Sequence, residues 1–410
     1  MSQCEPGTSL DNAFSRVVRC RLACRLINKL VLNIVAVVLS FGFGHYAQAR
    51  LTILHNFGDG TAANDGANPQ TGLIQGPDGN FYGVTQWAQN LNFIQGTAFK
   101  MTPAGTVTIL LTFPKTQAAT QPLLYYKKSL IGVLASAGQT KEGAIFALKE
   151  TAAGTWKKYF WHVFNGGTTD GSTPEGSLIL GSDGNLYGTT TFGGGAQLGT
   201  VYKLDPTTHQ LTIVADLPGP NPAVFPNTAL LQGADGNFYG GTQGFVPGGM
   251  FMVTPGGQFT LIYSFSGNAF LAGPLIQGSD GNFYGVSAGG GASNVGYVFQ
   301  MTPASYVVTI LHSFGQGQDG ADPVGNLVEG PNGYLYGSTG NGGTGHSGTI
   351  YRISKDGSSY SVLHNFRDGS VVNDGDIPVG SLIIGAHNNL YGVTIYGGSA
   401  GDGTVFRISP

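Results

Sequence analysis

The chain has 410 residues, 68 of them glycine, with 10% charged residues and a formal charge of -3. Hydrophobic residues at 41% and aromatics at 11% exclude a disordered chain, which is rich in charge and poor in aromatics. Lys and Arg form no cluster after residue 50, so nucleic-acid binding, which needs a cationic surface against phosphates, is not expected.

The N-terminus reads as a targeting segment. Arg16, Arg19, Arg21, Arg25 and Lys29 precede an apolar run over residues 30–44, and Ala47-Gln48-Ala49 follows. This order is that of a secretory signal over residues 1–49, with cleavage expected after Ala49. The run is short for a membrane span, which takes roughly 20 residues. The expected location is therefore secreted or periplasmic, with no membrane attachment after cleavage; an uncleaved signal anchor is the alternative. Cys4, Cys20 and Cys24 all lie in this segment. Residues 50–410 then hold no disulfide, thiolate metal site or cysteine nucleophile and must draw stability from a large core.

Residues 51–57 (LTILHNF) alternate as a strand. One phrase then recurs: LIQGPDGNFYGVT from Leu73, LILGSDGNLYGTT from Leu178, LLQGADGNFYGGT from Leu230, LIQGSDGNFYGVS from Leu275, LVEGPNGYLYGST from Leu327 and LIIGAHNNLYGVT from Leu382. A worn copy, LLYYKKSLIGVLA, starts at Leu123. The marker residues Tyr82, Ile131, Tyr187, Tyr239, Tyr284, Tyr336 and Tyr391 are separated by 49, 56, 52, 45, 52 and 55 residues. That period matches a four-stranded propeller blade of about 40–50 residues. The unit from Leu178 reads as a short apolar strand, an Asp-Gly-Asn hairpin turn, a second strand over 185–190, a glycine-rich loop, and strands over 199–204 and 210–217.

The ends decide the architecture. The mature chain opens with a fourth strand lacking its first three and closes, over 382–409, with three strands lacking the fourth. The expected fold is an all-β, seven-bladed β-propeller of four-stranded blades, a single domain over 50–410. The N-terminal strand completes the last blade and removes the exposed edges. The motifs DGN-[FL]-YG-x-T, GGG…GT-[VI]-[FY]-[KR] and TxLHxF resemble the GloVer tandem repeats of secreted bacterial choice-of-anchor proteins, over residues 51–410. The resemblance implies secretion and repeat architecture, and brings no activity or catalytic residues. Members of that family often end in a surface-sorting tail; this sequence stops at Ser409-Pro410, so anchoring by that route is not expected.

Four loops between a fourth strand and the next first strand carry D-G-x-x-P, starting at Asp65, Asp170, Asp319 and Asp374. They read either as a ring of carboxylates at the channel mouth or as a repeated turn in which Asp, Gly and Pro each set backbone geometry. Two of these loops are richer: DGTAANDG, with Asp59, Asn64 and Asp65, and DGSVVNDGD, with Asp368, Asn373 and Asp374. Ring closure puts them on adjacent blades, and their hard oxygen donors suit Ca²⁺; solvated turns are the other reading. His55, His162, His312 and His364 share one fourth-strand position, which argues for packing or hydrogen bonding. His346 lies alone in a loop between second and third strands, as a candidate general base or an exposed loop histidine. The recurrent Tyr-Gly pairs read as blade-to-blade packing.

Three functions follow as expectations. One is a calcium-dependent hydrolase (lactonase or esterase type) of a small ester or lactone at the channel mouth, with His346 or an Asp activating water. Another is a non-catalytic glycan- or protein-binding propeller; a surface structural module is the third. A monomer is expected.

Overall fold

The computed structural model describes residues 49–410 apart from 87–95, 115–116, 118, 120, 139, 219–224, 244–247 and 316–317. The expected signal thus lies, but for Ala49, outside the described residues. Seven antiparallel sheets follow one another along the chain, all but the last in sequential strand order. Blade 1 holds Ile74–Gln75, Phe81–Thr85, Thr97–Met101 and Val107–Thr112. Blade 2, the worn copy, holds Leu124–Tyr126, Ser129–Leu134, Ala144–Glu150 and Trp156–Val163. In blade 3 the inner strand is split into Gly171–Pro174 and Ile179–Leu180, followed by Leu186–Gly193, Thr200–Leu204 and Leu211–Asp216. Blade 4 runs from Leu231–Gln232 to Phe259–Ser264, blade 5 from Ile276–Gln277 to Val308–Ser313, and blade 6 from Ala321–Glu329 to Tyr360–Asn365.

Blade 7 supplies Asp376–Ile384, Leu390–Tyr396 and Thr404–Ser409, and takes its outer strand from the N-terminus. Arg50–Asn56 pairs antiparallel with Thr404–Ser409, from Arg50 opposite Ser409 to Asn56 opposite Thr404. The expected fold, its seven blades and its strand exchange all hold.

Burial follows from position in the sheet. The second strand Phe81–Thr85 is buried throughout, whereas the outer Val107–Thr112 is largely half-buried or exposed. A bulge interrupts the outer strand pair in every blade, between Ile53 and His55 in the N-terminal strand and between Val201 and Tyr202 in blade 3. A bulge re-aims the side chains beyond it. Leu51 and Ile53, before the bulge, pack into the core shared by blades 6 and 7; Leu54 and Phe57, after it, pack into the core of blades 7 and 1.

One joint recurs between blades. The phenylalanine ending an outer strand meets, edge-on, the third-strand aromatic of the next blade. Phe57 lies 5.3 Å from Phe99, Phe113 5.5 Å from Phe146, Phe164 5.4 Å from Tyr202, Phe314 5.2 Å from Tyr351 and Phe366 5.4 Å from Phe406. Each third-strand ring in turn lies over the glycine of its own blade's Tyr-Gly pair, or of Ile131-Gly132 in blade 2. A methyl on Gly83 would stand 2.6 Å from the Phe99 ring, and one on Gly392 2.5 Å from that of Phe406. The preceding tyrosines pack between blades, Tyr391 on Phe81 at 4.4 Å and Tyr187 on Phe238 at 4.1 Å.

On one rim of the ring the Asp-Gly-Asn turns are braced. Tyr82, Tyr187, Tyr239 and Tyr284 donate their hydroxyls to Asp78, Asp183, Asp235 and Asp280 at 2.7–2.9 Å. Burial raises each carboxyl's pKa, but hydrogen bonds from the turn Asn and the Tyr outweigh it, holding all four below the ordinary aspartate value.

Phe57→Ala removes a fully buried ring from the closing joint, with an expected loss of about 3–5 kcal/mol in urea denaturation. The turn aspartates set the acid limit. Their folded pKa values lie below the unfolded value of about 3.9, so their contribution is complete above that pH and is lost as pH falls toward the folded values. Denaturation midpoints should be flat above about pH 5 and fall steeply below about pH 4, and Asp183→Asn should reduce that slope.

Candidate functional site

The axial channel is apolar. Its cavity of about 490 Å³ is walled by Leu73, Leu123, Leu230, Leu275 and Leu382, with Ser177, Asn326 and Ser381 as polar members and no charged residue in its lining. The D-G-x-x-P aspartates form no carboxylate ring here, because each is drawn onto an outer-strand histidine. His55 Nε2 lies 2.8 Å from Asp65 Oδ2, His312 Nε2 2.8 Å from Asp319 Oδ2 and His364 Nε2 2.9 Å from Asp374 Oδ2. His162 Nε2 lies 3.3 Å from both oxygens of Asp170. A carboxylate only accepts, so Nε2 carries the proton. Each carboxylate also accepts a backbone N–H from the loop, from Gly58, Asn165, Gly315 and Arg367 respectively. For Asp170, burial raises the pKa, but the His162 bond and two backbone N–H groups outweigh it and hold the carboxyl below the ordinary value.

These pairs are clasps that close the loop onto the strand. The loop's proline then packs on a glycine of the preceding blade: a methyl on Gly403 would meet Pro69 at 2.7 Å, and one on Gly348 would meet Pro378 at 2.7 Å. The signal for this pairing was present in the sequence. The three outer strands with Leu111, Ala215 or Tyr263 in place of His are followed by loops with no Asp-Gly.

The clasps bear directly on calcium. Ca²⁺ takes 6–8 oxygen ligands in one shell. Asp65 and Asp374 are buried at 0% and 3% exposure with their oxygens committed to His and backbone N–H groups. Asp59 turns back on Thr61, and Asp368 on Ser370. Burial raises the pKa of these two, but the Thr61 and Ser370 bonds outweigh it and hold both below the ordinary value. Asn64 and Asn373 occupy equivalent left-handed turn positions, each at φ 55°. The two loops are thus copies of one turn on consecutive junctions. Among the described residues no three His, Cys, Asp or Glu side chains gather as a metal centre. The expected donor set does not fit Ca²⁺.

The second loop does border a hollow. About 580 Å³ opens between residues 367–376 and the blade 7 loop at 396–401, walled by Val371, Val372, Asn373, Asp374 and Tyr396. Arg367, whose side chain is 60% exposed, holds Asp376 through Nη1 at 2.8 Å. Arg367 has no counterpart in the other units, whereas Tyr396 stands where blade 3 has Phe192. Asp402 lies against Gly58, and burial together with the Asp65 carboxylate pushes its pKa up.

His346 is exposed, at φ 57°, in a left-handed turn position that Gln197 and Asn294 fill in blades 3 and 5. Its neighbour Gly345 abuts the backbone of residues 366–368, so the loop that carries His346 packs on the Arg367 turn, although His346 itself does not line the hollow. Among the described residues no carboxylate is hydrogen-bonded to its ring.

Asp65→Ala leaves the His55 N–H buried without its acceptor and should cost about 1–3 kcal/mol. His55→Leu with Asp65→Ala reproduces the apolar arrangement of blade 1 and should lose less than the single variant. Calcium or EDTA should change neither value, as read by urea denaturation.

Among solved structures, an oligogalacturonate lyase in complex with manganese aligns at a TM-score of 0.56 and 10% identity, over 88% of this chain and 96% of that one. A protein from Lactobacillus plantarum aligns at 0.52 and 15%, over 83% and 88%. A putative gluconolactonase aligns at 0.44 and 10%, over 88% and 92%. At these identities the likeness extends to the fold alone. None of the curated proteins matches the chain in sequence. The repeat described as the Gloeobacter/Verrucomicrobia repeat matches residues 44–245 and 226–410, and the chain belongs to that family.

Proposed function

We propose that the protein is a secreted propeller that binds a small, oxygen-rich organic molecule, a sugar acid or a lactone, in the hollow between the loops of residues 367–376 and 396–401. The observation supporting this reading is the exposed Arg367 guanidinium at a hollow of about 580 Å³. A guanidinium fork takes a carboxylate or carbonyl oxygen with two parallel hydrogen bonds. Asp376, its resting partner, yields to the ligand's oxygens and accepts from its hydroxyls. Val371, Val372 and Tyr396 supply the apolar wall such sites commonly have. Calcium is left out, because the aspartates that would hold it close the loops.

A hydrolytic reading of the same corner has one observation in its favour, the packing of the His346 loop on residues 366–368. There His346 would take a proton from water as the water oxygen attacks the lactone carbonyl, and would return it to the ring oxygen as the acyl–oxygen bond breaks, giving the hydroxy acid.

Calorimetric titration of gluconate, galacturonate and glucono-lactone separates the readings. Binding should be the same in EDTA as in calcium and weaken about tenfold or more in Arg367→Ala. Binding that requires calcium, or is unchanged in Arg367→Ala, overturns the proposal. Lactone turnover lost in His346→Ala with binding retained would favour hydrolysis.

A further inference from the structure

We infer that the groove between blades 1 and 2, on the rim that carries the Asp-Gly-Asn turns, is a second binding site, for a neutral saccharide. The groove exists because one inter-blade contact is missing there. From blade 3 to blade 6 the turn of one blade is tied to the inner strand of the next. Ser182 N–H donates to Gln232, Ala234 N–H to Gln277 and Ser279 N–H to Glu329, each at 2.8 Å. In blade 1 the donor position is Pro77, which has no N–H, and the acceptor position in blade 2 is Tyr125. Blade 2 also replaces the Asp-Gly-Asn turn with Lys127-Lys128, both at positive φ.

The opening is about 760 Å³, within the range of small-molecule sites, about 300–1,000 Å³. Its lining is that of a sugar site. Tyr125 and Trp156 give ring faces for the C–H-bearing side of a pyranose, and Tyr82 lies behind Tyr125 at 6.1 Å, tilted 46°. Glu150 accepts from hydroxyls and Lys128 donates to them, while Asp78 is held by Asn80, Tyr82 and Lys100 at the groove's edge. Lys100 and Asp78 already pair at 2.9 Å. Two carboxylates face two ammonium groups, so the groove favours a ligand without net charge.

The junction of blades 6 and 7 is a natural comparison. It too carries a proline at the donor position, Pro331, opposite Ile384. It opens only about 260 Å³, with no Asp, Glu, Lys, Arg or Trp in the lining. Loss of the tie makes a gap; the aromatic and charged lining makes the blade 1–2 gap a site.

Titration with cellotriose, maltotriose, xylotriose and chitotriose at millimolar concentrations tests this. At least one should bind. Pro77→Ser with Tyr125→Gln installs the tie used between blades 3 and 6 and should abolish binding while holding or raising the melting temperature. Trp156→Ala, checked for a cooperative melt, should weaken binding about tenfold or more. No binding of any of the four, or binding that survives the Pro77→Ser, Tyr125→Gln variant in its folded state, overturns the inference.

Discussion

The ring depends on one contact, an aromatic edge from one blade against the third-strand ring of the next, with that ring seated over a glycine. Only glycine leaves room for it, since a methyl on Gly285 would come within 2.7 Å of Phe299. Aromatic pairs at such spacing add about 0.5–1.5 kcal/mol beyond the area they bury, and the contact recurs at every junction but that of blades 3 and 4, where Leu217 replaces the phenylalanine. The N-terminal strand therefore does two jobs. Its backbone completes blade 7, and its Phe57 supplies blade 1 with the joint that blades 2, 3, 5, 6 and 7 receive from their predecessors. Strand exchange closes hydrogen bonding and packing together, which is why the bulge at Leu54 matters: it lets one strand face two cores.

Around that common joint the junctions are secured unevenly. His–Asp clasps hold the loops at junctions 7–1, 2–3, 5–6 and 6–7. Turn-to-strand ties hold junctions 3–4, 4–5 and 5–6 on the other rim. Junction 5–6 has both, and junction 1–2 has neither, since Leu111 stands where the histidine would be and Pro77 where the donor would be. A buried polar pair rewards completeness: with both partners it holds a loop, and with one it costs the full desolvation of the other. His and Asp are accordingly kept or replaced together in this chain.

Legibility from sequence tracks repetition. The blade count, the exchanged strand and the fourth-strand position of the histidines all recur, and seven near-copies fix them even where blade 2 has drifted. The site residues were harder to read because their chemistry depends on partners far apart in the chain. Asp65 and Asp374 looked like metal ligands in isolation, and only their pairing with His55 and His364 shows what occupies their oxygens. That pairing could have been read from the matched presence and absence of His and Asp-Gly across the seven units. Arg367 could not, because no other unit has a charged residue at that position.

A repeated residue in a propeller serves what every blade needs, which is closure and packing. A departure from the repeat has no such obligation, and its cost must be met by something else. Pro77 and Tyr125 give up a tie that three other junctions keep, and the Lys127-Lys128 turn gives up a braced Asp-Gly-Asn turn. Local rules broken together at one place are the mark of a site held open for use. The worn copy, the weakest unit by its sequence, is for that reason the part of the ring where ligand chemistry has the most freedom to sit.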